Sequence, residues 1–124
     1  MNIYELRVIS EFSSAHKLRD YQGKCENLHG HNWKVEVFVE ANTIDKTGLV
    51  IDFKILKEKI NSIISQLDHC YINKIKYFQK HNPTSENIAE YIFKKMTLAL
   101  KGYSLKLKKI TVWENEKQSA SYLE

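Results

Sequence analysis

From Trp33 to Glu40 every second position is strongly apolar: Trp33, Val35, Val37 and Val39 alternate with Lys34, Glu36, Phe38 and Glu40. A period of two over a β-branched run gives an extended strand one buried face, whereas a helix would scatter those four side chains around its axis. The stretch from Ile3 to Ser13 repeats the pattern through Leu6, Val8, Ser10 and Phe12, so it reads as a second strand. The two are expected to pair antiparallel, joined by a loop from Lys17 to Leu28.

After a turn rich in Asn, Asp, Thr and Gly (Asn42 to Gly48) the period changes to that of a helix. Asp52 is a plausible N-cap, and Phe53, Leu56, Ile60, Ile63, Ile64 and Leu67 fall on one face behind it. Asp68 to Pro83 shows neither period and reads as irregular. Pro83-Thr84-Ser85-Glu86-Asn87 then offers a hydroxyl cap and a first-turn carboxylate, ahead of a second stripe of Ile88, Ala89, Ile92, Phe93, Met96 and Leu100. Gly102 marks the stop.

Leu105 to Glu114 reads as a third strand. Leu105 and Leu107 have one parity and Ile110 and Val112 the other, which predicts a bulge or a shifted register. A short fourth strand is expected from Ala120 to Leu123. The fold class is therefore α+β, with order ββααββ and two helices covering one face of an antiparallel sheet. A chain of 124 residues is expected to form a single domain over 1–124.

The balance of 43% hydrophobic and 27% charged residues is that of a soluble globular protein, and no apolar run approaches the roughly 18 residues of a membrane span. The start, MNIYELRVIS, lacks the pattern of a secretory signal, so a cytoplasmic location is expected. Two cysteines far apart make a poor disulfide framework and fit a reduced compartment. The net charge of +4 comes from lysines interleaved with carboxylates, as in KILKEK and WENEK. This argues against a nucleic-acid or membrane partner and suits a small phosphorylated substrate.

His29-Gly30-His31 lies at the entrance to the second strand, where period-two geometry puts both imidazoles on one face. His16 sits just past the end of the neighbouring strand and can supply a third nitrogen. Three neutral imidazoles with an open position make a catalytic zinc arrangement, although iron or another first-row metal also suits such a set. An isolated His-x-His more often closes a turn. Cys25 before it, and Asp68 beside His69 after the first helix, shift the weight towards a site that moves protons.

CENLHGH with an upstream FSSAH, followed by TGLVIDF, LDHCYIN, PTSENIA and VWENE, resembles the 6-pyruvoyl- and 6-carboxy-tetrahydropterin synthase family, in the family's order and over nearly the whole chain. The resemblance implies zinc held by His16, His29 and His31, with Cys25 as the catalytic thiol assisted by Asp68 and His69. It implies a pterin anchored by Glu114 in a pocket that Thr84, Ser85 and Glu86 help to line. It also implies a homo-oligomer, trimer or hexamer, with pockets between subunits. Cys70 is expected to be a small buried hydrophobe, and Glu26 a solvated loop residue.

The substrate so implied is a pterin triphosphate, 7,8-dihydroneopterin triphosphate. The compact length points to the zinc-dependent carbon–carbon lyase of the family, which releases acetaldehyde and triphosphate and leaves 6-carboxytetrahydropterin on the route to queuosine. The alternative reaction eliminates triphosphate and keeps the side-chain carbons as a pyruvoyl group. A zinc- or pterin-binding module without turnover is a reading of another class, against which the proton-transfer residues argue.

Overall fold

Strands β1 (Tyr4–His16) and β2 (His29–Ala41) pair antiparallel without interruption, from Tyr4 opposite Ala41 to His16 opposite His29. These coordinates are a computed structural model that describes residues 2–19 and 27–124. The alternation decides the faces: Val8 and Phe12 from β1 and Trp33, Val35, Val37 and Val39 from β2 are all buried on one side. The strands run further than the apolar pattern suggests. His16 is the last residue of β1 rather than a residue beyond it, and His29 and His31 lie inside β2.

The buried face is covered by two helices. Helix α1 (Phe53–Ile64) starts at Asp52, whose carboxylate accepts the Lys54 N–H at 2.9 Å, and buries Leu56, Ile60, Ile63 and Ile64 against β1. Ser10, a polar residue on the core parity of β1, is satisfied by donating to Asn61 Oδ1 of α1 at 2.6 Å. The longer helix (Ser85–Ala99) packs on the C-terminal strands and buries Ile88, Ala89, Ile92 and Met96. Gly102, three residues after its end, has a φ of +91°, a conformation in which a side chain would clash with the backbone.

The segment read as irregular contains a 3₁₀ turn (Ile72–Lys74) and a five-residue helix, α2 (Lys76–Lys80), so the long second helix is α3 and the described residues form three α-helices rather than two. Such short pieces show no periodicity; the fully buried Ile72 and Phe78 hold them down. β3 (Lys106–Asn115) and β4 (Gln118–Tyr122) complete a sheet of order β1-β2-β3-β4. The parity conflict in β3 is resolved by a bulge: Val39 faces Leu107 and Phe38 faces Lys109, leaving Lys108 unmatched. The extra residue brings Leu107 on one side of it and Ile110 and Val112 on the other to the same buried face.

Candidate active site

The β1–β2 register carries three imidazoles to one end of the buried face. His16 stands opposite His29, and His31 is two residues further along β2, opposite Ser14. Their ligand nitrogens all lie within 4.8 Å of one another. Trp33 forms the floor, its ring 4.9 Å from that of His16 and 5.2 Å from that of His31 between centroids. The indole is itself fixed, fully buried and donating to the Ser14 carbonyl at 3.3 Å.

Hydrogen bonding sets the tautomers. His16 Nδ1 lies 2.7 Å from the Pro83 carbonyl and His29 Nδ1 lies 2.9 Å from the Asn27 carbonyl. A carbonyl can only accept, so in the neutral rings both Nδ1 atoms carry the proton and both Nε2 atoms present lone pairs. Those two Nε2 atoms face each other at 3.0 Å. Two lone pairs at that distance with no proton between them repel, and a cation between them relieves the repulsion. The donor set therefore fits a metal ion, with backbone carbonyls orienting the ligands from behind. Burial pushes the His16 pKa below its ordinary value, and the neighbouring His29 and His31 add to this against the Pro83 bond and Glu114. A ring held neutral in this way is ready to ligate.

Glu114 approaches from β3, the strand on the other side of β2. Between β3 and β4, Trp113 pairs with Ser119 and Asn115 with Gln118, leaving Glu114 as a bulged residue. Its Oε1 reaches 3.7 Å from His31 Nε2 and accepts from Gln118 Nε2 at 3.2 Å. Trp113 is clamped on the opposite face: its Nε1–H donates to Glu36 at 2.5 Å, and Glu36 also binds Arg7 at 3.0 Å. His16, Glu114, Gln118, Thr84, Ser85 and Glu86 line one cavity of about 430 Å³, a volume suited to a bicyclic ligand. Thr84 caps α3 by accepting the Asn87 N–H at 3.0 Å, so Ser85 and Glu86 stand on the first helical turn at the cavity wall.

Asp68 and His69 do not line this cavity. The Asp68 carboxylate accepts the Ser13 N–H at 2.9 Å, the His69 N–H returns to the Ser13 carbonyl at 2.6 Å, and the pair lies along the free edge of β1. The Ser13 bond first, and the His69 ring second, hold the Asp68 carboxyl below its ordinary pKa. His69 adopts φ +53° and its side chain is 82% exposed, with Nδ1 at 2.9 Å from Asp68. Cys25 and Glu26 lie outside the described residues. Cys70 is half-buried, its thiol 3.3 Å from the Leu67 carbonyl, and packs against the core as a small apolar residue would.

Two asparagines matter that periodicity could not show. The Asn73 amide pairs with both backbone groups of Lys17 (2.9 and 2.7 Å), and the Asn82 amide does the same to Arg19 (2.9 and 2.7 Å). Each side chain imitates a strand neighbour and holds the chain as it leaves His16. Trp33 was legible only as core; its second task, as floor to the imidazoles, depends on register. Gln118 was not singled out at all, since a polar residue at a hairpin carries no local signal.

Comparison with known proteins places these observations in a family context. The sequence model of a family described as 6-pyruvoyl tetrahydropterin synthase matches residues 5–124. A putative 6-carboxy-5,6,7,8-tetrahydropterin synthase of Archaeoglobus fulgidus is 38% identical over 109 residues, 88% of this chain and 86% of that protein. A dihydroneopterin monophosphate aldolase of Pyrococcus furiosus is 38% identical over 105 residues, 85% of this chain and 84% of that one. Among solved structures, the 6-pyruvoyl tetrahydropterin synthase of Caenorhabditis elegans superposes with a TM-score of 0.88 at 29% identity, covering all (100%) of this chain and 97% of its own.

Proposed function

The chain belongs to the 6-pyruvoyl tetrahydropterin synthase family, and from that premise we propose that it is a 6-carboxy-5,6,7,8-tetrahydropterin synthase. It would be a zinc-dependent lyase that converts 7,8-dihydroneopterin triphosphate to 6-carboxytetrahydropterin, acetaldehyde and triphosphate in queuosine biosynthesis. The observation that carries the reading is a three-imidazole cluster with the Glu114 carboxylate 3.7 Å from His31, beside a cavity that His16 and Glu114 both line. Relatives bearing the carboxypterin name at 38% identity support this branch, and a pyruvoyl-named relative at 36% identity keeps the other branch as the second reading.

In this reading His16, His29 and His31 hold zinc, which when bound supplies Lewis-acid stabilisation of negative charge developing on the substrate's side chain. Glu114 accepts two hydrogen bonds from the amino-pyrimidine edge and so fixes the ring's orientation. Thr84, Ser85 and Glu86 close the wall beside it. Cys25, four residues before His29, serves as a thiolate base for a side-chain proton, and its pKa falls beside a cation. Asp68 orients His69, which moves a second proton. Because His69 faces outwards along the β1 edge, we assign it to the cavity of a neighbouring copy in a homo-oligomer, trimer or hexamer.

Incubating the metal-loaded protein with 7,8-dihydroneopterin triphosphate and identifying products by mass tests the assignment. Acetaldehyde with a carboxypterin is expected. A pyruvoyl pterin would move the chain to the other branch, and recovery of unchanged substrate would leave a binding module. Cys25→Ala is expected to keep its metal and lose most turnover, and full activity in that variant would remove the thiol from the mechanism.

A further inference from the structure

Gln118 sits at the start of β4, exposed, on the same face as Glu114 and within the same cavity. Its amide is oriented by chemistry: a carboxylate only accepts, so the group turned towards Glu114 Oε1 at 3.2 Å must be the NH₂. That nitrogen carries two N–H bonds. One is spent on Glu114, and the other makes no bond among the described residues.

The resulting array reads, side by side, acceptor, acceptor, donor: the two carboxylate oxygens of Glu114 and the second N–H of Gln118. The edge of a 2-amino-4-oxo pyrimidine presents the complement in the same order, namely the amino N–H, the N3–H and the 4-oxo oxygen. A carboxylate alone satisfies the first two and leaves the oxo group facing a negative charge or solvent. We infer that Gln118 is a specificity-determining residue that donates to the 4-oxo group of the pterin ring while bracing Glu114.

The inference rests on the pterin reading above and deepens it. The bulge makes it possible: with Glu114 inserted between the Trp113–Ser119 and Asn115–Gln118 pairs, a residue of β3 and one of β4 come to share one face at the hairpin end. The hairpin is braced by the Asn115 side chain, which accepts the Lys117 N–H at 2.8 Å. Gln118 lies outside the core, so its substitution leaves the packing of the sheet intact.

Dissociation constants for pterin and for 4-thiopterin, measured by calorimetric titration of the metal-loaded protein and its Gln118→Leu variant, test this. 4-Thiopterin keeps the 2-amino and N3–H donors that Glu114 accepts and replaces the oxo oxygen by sulfur, a much weaker acceptor with little to gain from the Gln118 N–H. Pterin is expected to bind Gln118→Leu about tenfold more weakly, while 4-thiopterin stays within about twofold, because one neutral hydrogen bond to one position is lost. In turnover the variant should show a raised KM with kcat nearly unchanged. Pterin affinity equal to wild type, or an equal loss for both ligands, would overturn the role assigned to Gln118 and leave the family reading standing. Failure of the wild-type protein to bind pterin at all would overturn both.

Discussion

His16 is the residue on which most of the site depends, because it is the only one of the three imidazoles that is fully buried. Its pKa lies below the ordinary value of 6.5, burial being the chief cause. The unfolded chain therefore takes up a proton that the folded chain refuses. The stability of the metal-free protein should be complete above about pH 6.5 and decline as the pH falls through that value towards the folded pKa. Thermal melts of apo-protein between about pH 8 and pH 5 should show this slope, and a His16→Asn variant should flatten it. At the same scale, His31→Ala should lose bound metal, since two imidazoles hold a divalent ion far less well than three. Wild-type metal content in that variant by elemental analysis would remove His31 from the ligand set.

At the scale of elements, the two bulges of β3 do the positioning. Lys108 changes the parity so that Leu107, Ile110 and Val112 share the core, and Glu114 is bulged so that its carboxylate reaches the imidazole end. Val39 already faces Leu107 and Phe38 faces Lys109, so deleting the unmatched Lys108 restores strict alternation with every other pairing kept. The Lys108 deletion should therefore keep Leu107, Ile110 and Val112 in the core and Glu114 on its face, with cooperative unfolding and a near wild-type midpoint in a denaturant titration. Loss of cooperativity in that variant would show that the bulge itself, and not only the pairing it interrupts, is needed by the sheet. The parity conflict at Leu107 and Ile110 was readable in the sequence. The bulge at Glu114 was not, because no apolar pair flanks it to reveal a change of phase.

For the molecule as a whole, the imidazole cluster and the Asp68–His69 pair occupy different places: the covered end of the sheet and the free edge of β1. In the proposed reading, a site that uses both is completed by assembly of copies. If so, His31→Ala and His69→Ala proteins, each inactive alone, should regain about a quarter of wild-type activity when unfolded and refolded together at equal amounts, because each site draws one part from each of two copies. No recovery in mixed oligomers would place His69 with its own chain's site or outside the reaction. Among the described residues no helix is long and apolar enough to cross a membrane.

The sequence alone determined the four strands, the two long helices and their caps at Asp52 and Thr84, because periods of two and 3.6 and capping chemistry are local properties. It also marked the three histidines, since His29 and His31 share a face wherever a strand passes through them. Tertiary structure decided the rest. The unbroken β1–β2 register set His16 against His29, the Pro83 and Asn27 carbonyls chose which nitrogens face one another, and Gln118 joined Glu114 across a hairpin. The His16 contacts join residues distant in sequence, the Asn27 and Gln118 contacts depend on how a turn or a bulge aims neighbouring residues, and no periodic pattern encodes either.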